Sequence, residues 1–362
     1  MSRHQSPDNA LQMLSVLLAS EASLLITHCR LTPYKIKLRS PWLSAAAKLH
    51  FRQGILVELT SYNLSATGEC APLVDIGTES LSTAHRVLRE IIPVLINTPL
   101  NINTLAELDE FPASRFALET ALLSLLAQRK NLSLSQLLAQ QYQLKINKKI
   151  LLNAMLGPVN PHLPVRAKQA EIDGYQCLKI KMGLTDIYTE AEQIKKLLTQ
   201  LQAETLIRLD ANKSWSYKET QWLLNYLAGH YQQIDYIEEP LKQYTSQNYL
   251  SLQADSPVSL ALDESFTTQC NLSLIDYPLH TLVLKPMAQG GIINSLYLFQ
   301  QAQQLNIRTI ITSSIETAHG LWPLTHLCAV INNQQFHGLS TSTWLESTLI
   351  KPPEIHHGSI YL

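Results

Sequence analysis

From Lys149 onward, short apolar runs alternate with longer stretches in which apolar residues recur at helical spacing. The runs are ILLNAML, CLKIKMG, LIRLDANKSW, DYIEEP, VSLALDES, TLVLKPM, RTIITSSIE and QFHGLST. Parallel neighbours cannot be joined by a tight turn, so this alternation predicts parallel strands linked by crossover helices. Eight such runs predict a closed α/β barrel. Residues 24–60 read differently, as strands at Leu24–Arg30, Tyr34–Leu38 and Gly54–Thr60 with polar or Pro-containing links, an antiparallel start. Residues 80–141 then turn helical: Ala84, Val87, Leu88 and Ile91 share one face, and Phe116–Gln128 is rich in Ala and Leu, with Glu119 among them. The first third is therefore α+β. Ahead of it, Leu11, Leu14, Leu17 and Leu18 fit one face of an amphipathic helix. Glu21 interrupts the apolar stretch from Ala10 to Ile26, and no small-residue cleavage site follows a basic start, so neither a membrane span nor a leader is expected. The expected division is an extension at 1–23, an α+β domain at 24–140, a barrel at 141–340 and a C-terminal return at 341–362.

Composition narrows the function classes. At 362 residues and 46% hydrophobic, the chain can bury one large core and a smaller one. Lys plus Arg number 28 against 29 for Asp plus Glu, which leaves no field to attract nucleic acid or an anionic membrane. A small-molecule enzyme fits this balance. The five cysteines, at 29, 70, 177, 270 and 328, are odd in number and never form C-x-x-C. They predict neither a disulfide framework nor a zinc site, but reduced thiols in a cytoplasmic protein.

The polar residues at the ends of the apolar runs are the candidate chemistry: Lys179 and Lys181, then Asp210, Glu238, Asp263, Lys285 and Ser313. Successive steps from Lys181 are 29, 28, 25, 22 and 28 residues, each about one β/α unit. Charged groups at successive strand ends would point into one mouth, where barrels carry their chemistry. Asp210, Glu238 and Asp263 would converge and repel unless a hard divalent cation lay between them. Mg²⁺ is expected rather than Ca²⁺, with Mn²⁺ able to substitute, because three carboxylates leave room for a bidentate substrate carboxylate. Lys179 and Lys181, two apart on a strand, would share a face, with Lys285 on the opposite flank. A lysine beside a metal and another lysine has its ammonium form disfavoured and can serve as a general base. Singly, each feature has a plainer meaning: K-x-K is usually a solvated strand face, Asp263 could be a helix N-cap, and Asp210 with Asn212 could be a turn. Their order and spacing together favour the functional reading.

At these residues the chain resembles the enolase superfamily, in the muconate lactonizing enzyme subgroup with a lysine on each side of the metal. The resemblance spans about Leu24 to Leu345 and rests on LKIKMG, RLDANKSW, IEEP, LALDES and LVLKPMAQGG. It implies a TIM-like (β/α)7β barrel under an α+β cap built from the N-terminal segment and the C-terminal tail. It also implies proton abstraction α to a carboxylate, with Lys181 as acid/base, Lys285 as an electrostatic partner, Lys179 stabilising the enediolate, and Glu238 rather than Glu239 on the metal. Arg208 before Asp210 with Asn212 after it, Thr312, Ser313 and Ser314 of TSSIETAHG, and Gly338 of HGLST match substrate-holding positions of the subgroup's dehydrating branch. Thr312 departs from that branch's serine, keeping a hydroxyl and adding a methyl. The implied reaction is dehydration of a succinyl-substituted hydroxycyclohexadiene carboxylate to an aromatic acid in menaquinone synthesis. An N-acylamino acid racemase or muconate-type cycloisomerase using the same site is the alternative, and a non-catalytic binding protein on the same fold is a third. The D-x-D by which dipeptide epimerases grip an amine is absent from HGLSTST. Pro41, Trp42 and Arg52 are the expected specificity residues of the cap, with Trp42 equally readable as core and Arg52 as the partner of a surface acid. The partner is a small-molecule carboxylate, and oligomeric state is not legible.

Overall fold

The computed structural model describes residues 6–19, 24–43, 48–98, 102–266 and 280–362. Helix α1 spans Ser6–Ala19; Ala10, Leu14 and Leu17 are buried, the side chains of Leu11 and Leu18 lying outside the described set. Strands β1 (His28–Leu43), β2 (Lys48–Ser61) and β3 (Leu64–Cys70) form an antiparallel sheet in that order. The two strands expected at 24–30 and 34–38 are one. Pro33, opposite Ile55, does not break β1, because an edge strand can turn the missing N–H away from the ladder. β3 was not legible: LSATGEC is short of apolar residues, and its role is close approach. A Cβ on Gly68 would lie 1.9 Å from the Ala117 carbonyl oxygen, so only glycine lets β3 press on the helix behind it.

Four helices follow: α2 (Leu81–Leu95), α3 (Ile102–Ala106), α4 (Pro112–Arg129) and α5 (Leu134–Tyr142). α2 starts at Ser80, whose hydroxyl accepts from Thr83 N at 3.1 Å, and buries Ala84, Val87, Leu88 and Ile91 as the spacing predicts. α4 is buried along most of its length between the sheet and the rest of the chain.

The ILLNAML run splits in two. Its first part belongs to β4 (Lys149–Leu151) and its second to β5 (Ala154–Pro158). Thereafter strands and helices alternate: α6 (Leu163–Ile172), β6 (Cys177–Lys181), α7 (Ile187–Leu198), β7 (Leu206–Asp210), α8 (Tyr217–Leu227), β8 (Ile234–Glu238), α9 (Ser246–Ala254), β9 (Leu260–Leu262), β10 (Thr281–Leu284), α10 (Ile292–Gln304), β11 (Arg308–Ile311) and α11 (Ala318–Ile331). The crossover between β9 and β10 and Cys270 fall outside the described residues. β5 to β11 form one curled parallel sheet in chain order. QFHGLST supplies isolated bridges rather than a full strand: His337 pairs with Leu152 at one edge and Gly338 with Thr312 at the other. The hydrogen bonds Asn153 N to His337 O, 3.0 Å, and Gly338 N to Ile311 O, 2.9 Å, tie both edges to these two residues.

Beyond them, β12 (Ile355–His356) pairs antiparallel with β13 (Ser359–Tyr361), which pairs antiparallel with β4. The stretch near Leu345 and Glu346 returns to the N-terminal sheet, where Leu345 bridges Leu38 and Glu346 N donates to Lys37 O at 3.0 Å. α1 packs against α10 and α3, so the N-terminal extension docks on the body of the chain. No described helix is long and apolar enough to cross a membrane.

Candidate active site

Register aligns the candidate groups. Lys181 of β6 lies beside Asp210 of β7, and Asp210 beside Glu238 of β8; Asp263 follows two residues after Ala261, the β9 partner of Glu238. Because side chains alternate along a strand, these residues share the inner face of the sheet at its C-terminal edge. All four are buried. Lys179 Nζ donates to both Glu238 oxygens at 2.7 Å and lies 3.1 Å from Asp210 Oδ2. Lys285 Nζ donates to Asp263 Oδ2 and, at 2.7 Å, to Glu264 Oε1. Lys181 instead donates to the Asn212 amide oxygen at 3.1 Å and sits 4.8 Å above the Trp42 ring.

These partners split the lysines electrostatically. Burial disfavours the charge of Lys179, but Asp210 and Glu238 more than offset it and hold its pKa well above the usual lysine range. Lys285 follows the same balance, raised by Asp263 and Glu264 against burial. For Lys181 burial wins: with Lys179 and Lys285 adding to it, its pKa is lowered. Burial, then the adjacent Glu264, pushes Asp263 up, while Lys285 overcomes burial at Glu264 and draws it down to about 2. Glu264 was missed by sequence reading, although it stands next to Asp263 in LALDES and lines the cavity.

Glu238 and Glu239 face opposite ways. Glu239 takes a left-handed backbone (φ 45°) and turns its carboxylate to the Asp263 and Ser265 amides, 2.8 and 2.7 Å away, and to the Ser265 hydroxyl at 2.7 Å. It braces the loop that carries Asp263.

The cavity above these groups is lined by Lys179, Lys181, Asp210, Asn212 and Lys285, and by Thr312, Ser313, Ser314 and Gly338 on the far wall. Thr312's extra methyl packs against Gly338, where an added Cβ would lie 2.7 Å from Thr312 Cγ2. Arg208, expected at the substrate, does not line the cavity. A register shift against β8 leaves Asp235 as the extra residue of a bulge, and Arg208 is held there by Asp235 at 2.7 Å, Asn153 at 3.0 Å and the Phe336 carbonyl at 2.6 Å. Its guanidinium lies 4.7 Å over the Tyr236 ring, fully buried. Trp42 does reach the cavity, edge-on to Trp344 at 5.1 Å. Pro41, expected as a specificity residue, is exposed, and Arg52, expected either in that role or beside a surface acid, is buried among backbone carbonyls. Leu73, Asp75 and Ile76, from the turn after β3, close the remaining side and carried no sequence signal.

Among the described residues no three acidic, His or Cys side chains form a ready-made metal cluster, because Lys179 and Lys285 ammonium groups lie between the carboxylates. The donor chemistry nevertheless fits a hard cation: Asp210, Glu238 and Asp263 are oxygen donors, 4%, 1% and 5% exposed, from adjacent strands. Buried carboxylates in such number require positive charge.

Comparison with known proteins identifies the family. Residues 163–362 match the family described as enolase C-terminal domain-like, and residues 26–125 match the family described as MenC, N-terminal domain. The chain therefore belongs to the enolase superfamily, and it is an enzyme. Among curated relatives, it is 27% identical over 311 residues to the o-succinylbenzoate synthase of Aliivibrio fischeri, covering 85% of this chain and 88% of that one. Solved structures of similar fold include the L-Ala-D/L-Glu epimerase from Bacillus subtilis, with TM-score 0.85 and 20% identity over 93% of this chain and 96% of that one. The dipeptide epimerase from Enterococcus faecalis, complexed with Mg and the dipeptide L-Leu-L-Tyr, aligns with TM-score 0.80 and 24% identity over 93% and 97%.

Proposed function

We propose that the chain catalyses the o-succinylbenzoate synthase reaction, the dehydration of 2-succinyl-6-hydroxy-2,4-cyclohexadiene-1-carboxylate to o-succinylbenzoate in menaquinone biosynthesis. The observation that carries this reading is the inequality of the lysines: Lys181 faces a neutral amide with its pKa lowered, whereas Lys285 is paired with two carboxylates. The names of the curated relatives and the MenC N-terminal match support the choice of substrate. The parallel sheet reads as a (β/α)7β barrel, with His337 and Gly338 in the eighth strand position and the N-terminal α+β part as its cap.

Asp210, Glu238 and Asp263 would hold Mg²⁺, the metal named for the Enterococcus relative. Held there, the cation would supply positive charge at the substrate carboxylate, which makes the α-proton easier to remove. Lys181 Nζ takes that proton, the hydroxyl leaves from the same face, and the new Lys181 N–H donates its proton to it, so that water departs and the ring becomes aromatic. Lys285 stays charged on the opposite face and stabilises the electron-rich ring. Thr312, Ser313 and Ser314 offer hydroxyl groups to the substrate's succinyl end, their amides being bonded to Leu284, Gly338 and Glu316, and Trp42 with Leu73 and Ile76 keeps water from the reacting face.

The same charge pattern suits a one-base, one-acid transfer on an N-acyl amino acid, which is the second reading. Purified chain assayed with Mg²⁺ and with EDTA on the cyclohexadiene substrate tests the proposal. Absence of conversion with metal present would end it, and turnover of N-acyl amino acids alone would select the second reading.

A further inference from the structure

Arg52 on β2 is 1% exposed, and its guanidinium is committed to main-chain carbonyls. Nε donates to Ile315 O at 3.1 Å, Nη1 to Pro72 O at 3.0 Å and Gln53 O at 3.3 Å, and Nη2 to Ala71 O. Two of these contacts lead directly into the cavity wall. Ile315 ends the Ser313–Ile315 segment of the parallel-sheet side, and Pro72 precedes Leu73, Asp75 and Ile76 on the N-terminal side.

Ile315 is held in the left-handed region at φ 61°, a costly conformation for a β-branched residue. Its side chain packs with Ile36, Leu38 and Leu345, and its N–H donates to Ser313 Oγ at 3.2 Å. Just beyond, Glu69 of β3 accepts from Thr317 N at 2.9 Å, Thr317 Oγ1 at 2.6 Å and Gly320 N at 2.8 Å, seating the start of α11. The neighbouring strands β2 and β3 thus hold both ends of one strained segment. Within that segment the buried oxygens Ser314 Oγ and Glu316 Oε1 have no hydrogen-bond partner among the described residues. Burial, with Glu69 beside it, pushes the Glu316 carboxyl up to about 7, and Arg52 is the cation that opposes this.

We propose that Arg52 is a positioning residue: through the Ile315 carbonyl it locks the Ser313–Ile315 wall to the Leu73–Ile76 wall, so that the N-terminal sheet dictates where Ser313 and Ser314 stand against the substrate. The proposal rests on the dehydration reading only for its assay substrate. Unlike a side chain that touches the ligand, Arg52 acts on two main-chain segments at once.

The test compares Arg52→Met, Ile315→Gly and the double variant. Arg52→Met should raise KM roughly tenfold or more with a much smaller change in kcat, because remote misplacement removes binding common to ground and transition states. Amides of residues 313–317 should exchange faster while those of α2 stay protected. Glycine tolerates the left-handed backbone, so in the Ile315→Gly background removal of Arg52 should cost less in KM. A lower Tm with unchanged KM and unchanged exchange at 313–317 would overturn the proposal, as would an equal KM cost in both backgrounds. If Arg52→Met does not fold, Arg52→Lys carries the same measurements. Wild-type chain without dehydration activity sinks the functional reading instead, and the exchange measurement still decides Arg52.

Discussion

Lys181 Nζ donates to the Asn212 side-chain oxygen at 3.1 Å, a neutral acceptor beside a centre whose other two lysines are engaged by carboxylates. A base must be able to lose its proton, and a carboxylate partner would prevent that. Asn212 orients the amine without fixing its charge, and its own left-handed backbone (φ 44°) aims it there.

Lys181→Ala should therefore lower kcat by roughly 10²–10⁴-fold, the range for removing a positioned acid/base. Mg²⁺-dependent stabilisation should remain, since the acids are untouched. Thermal melts with and without Mg²⁺ check this, and loss of the metal response in that variant would overturn the role given to Lys181.

The two adjacent glutamates should separate cleanly. Glu238→Gln is expected to abolish the Mg²⁺-dependent rise in Tm, while Glu239→Gln keeps the rise but costs about 1–3 kcal/mol of stability through its weakened bonds to Asp263 and Ser265. Denaturant titration with and without metal measures both. The reverse pattern would mean that Glu239 is the ligand.

His337 should make the fold acid-labile. It is fully buried and its Nδ1 accepts from Ile311 N at 3.0 Å, so it must be neutral; burial, then Arg208, lowers its pKa to about 3 from the usual 6.5. Between those values the unfolded chain binds the extra proton, so stability present above pH 6.5 is lost as pH falls toward 3. His337→Asn keeps an acceptor that does not titrate and should flatten this acid limb in Tm-against-pH curves. An unchanged limb would assign it elsewhere.

Gly338→Ala would drive a Cβ to 2.7 Å from Thr312 Cγ2 at the closure of the parallel sheet. The expected loss is about 1–3 kcal/mol, as for other overpacked sites. Thr312→Ser, which removes the methyl, should recover part of it. No recovery in the double variant would show that the clash lies with the backbone.

Much of the site was legible because strands repeat every two residues and β/α units at a nearly constant interval. Lys179, Lys181, Asp210, Glu238 and Lys285 fall at strand ends by spacing alone, and the structure brings them to one face. The buried face of α2 was equally local. The misread residues all depend on a partner distant in the chain. Arg208 has the inward parity of Asp210, but a bulge in β8 brings Asp235 to it and removes it from the cavity. ILLNAML carries one apolar pattern, yet β13 captures its first part and β6 its second. Arg52 read as a cap residue facing substrate or a surface acid, and it is instead enclosed by the Ala71, Pro72 and Ile315 carbonyls. Periodicity is a property of neighbouring residues and can be read along the chain. Which strand, carbonyl or counter-charge a residue meets depends on packing across the whole fold, and that settled the wall of the cavity while the order of residues settled its floor.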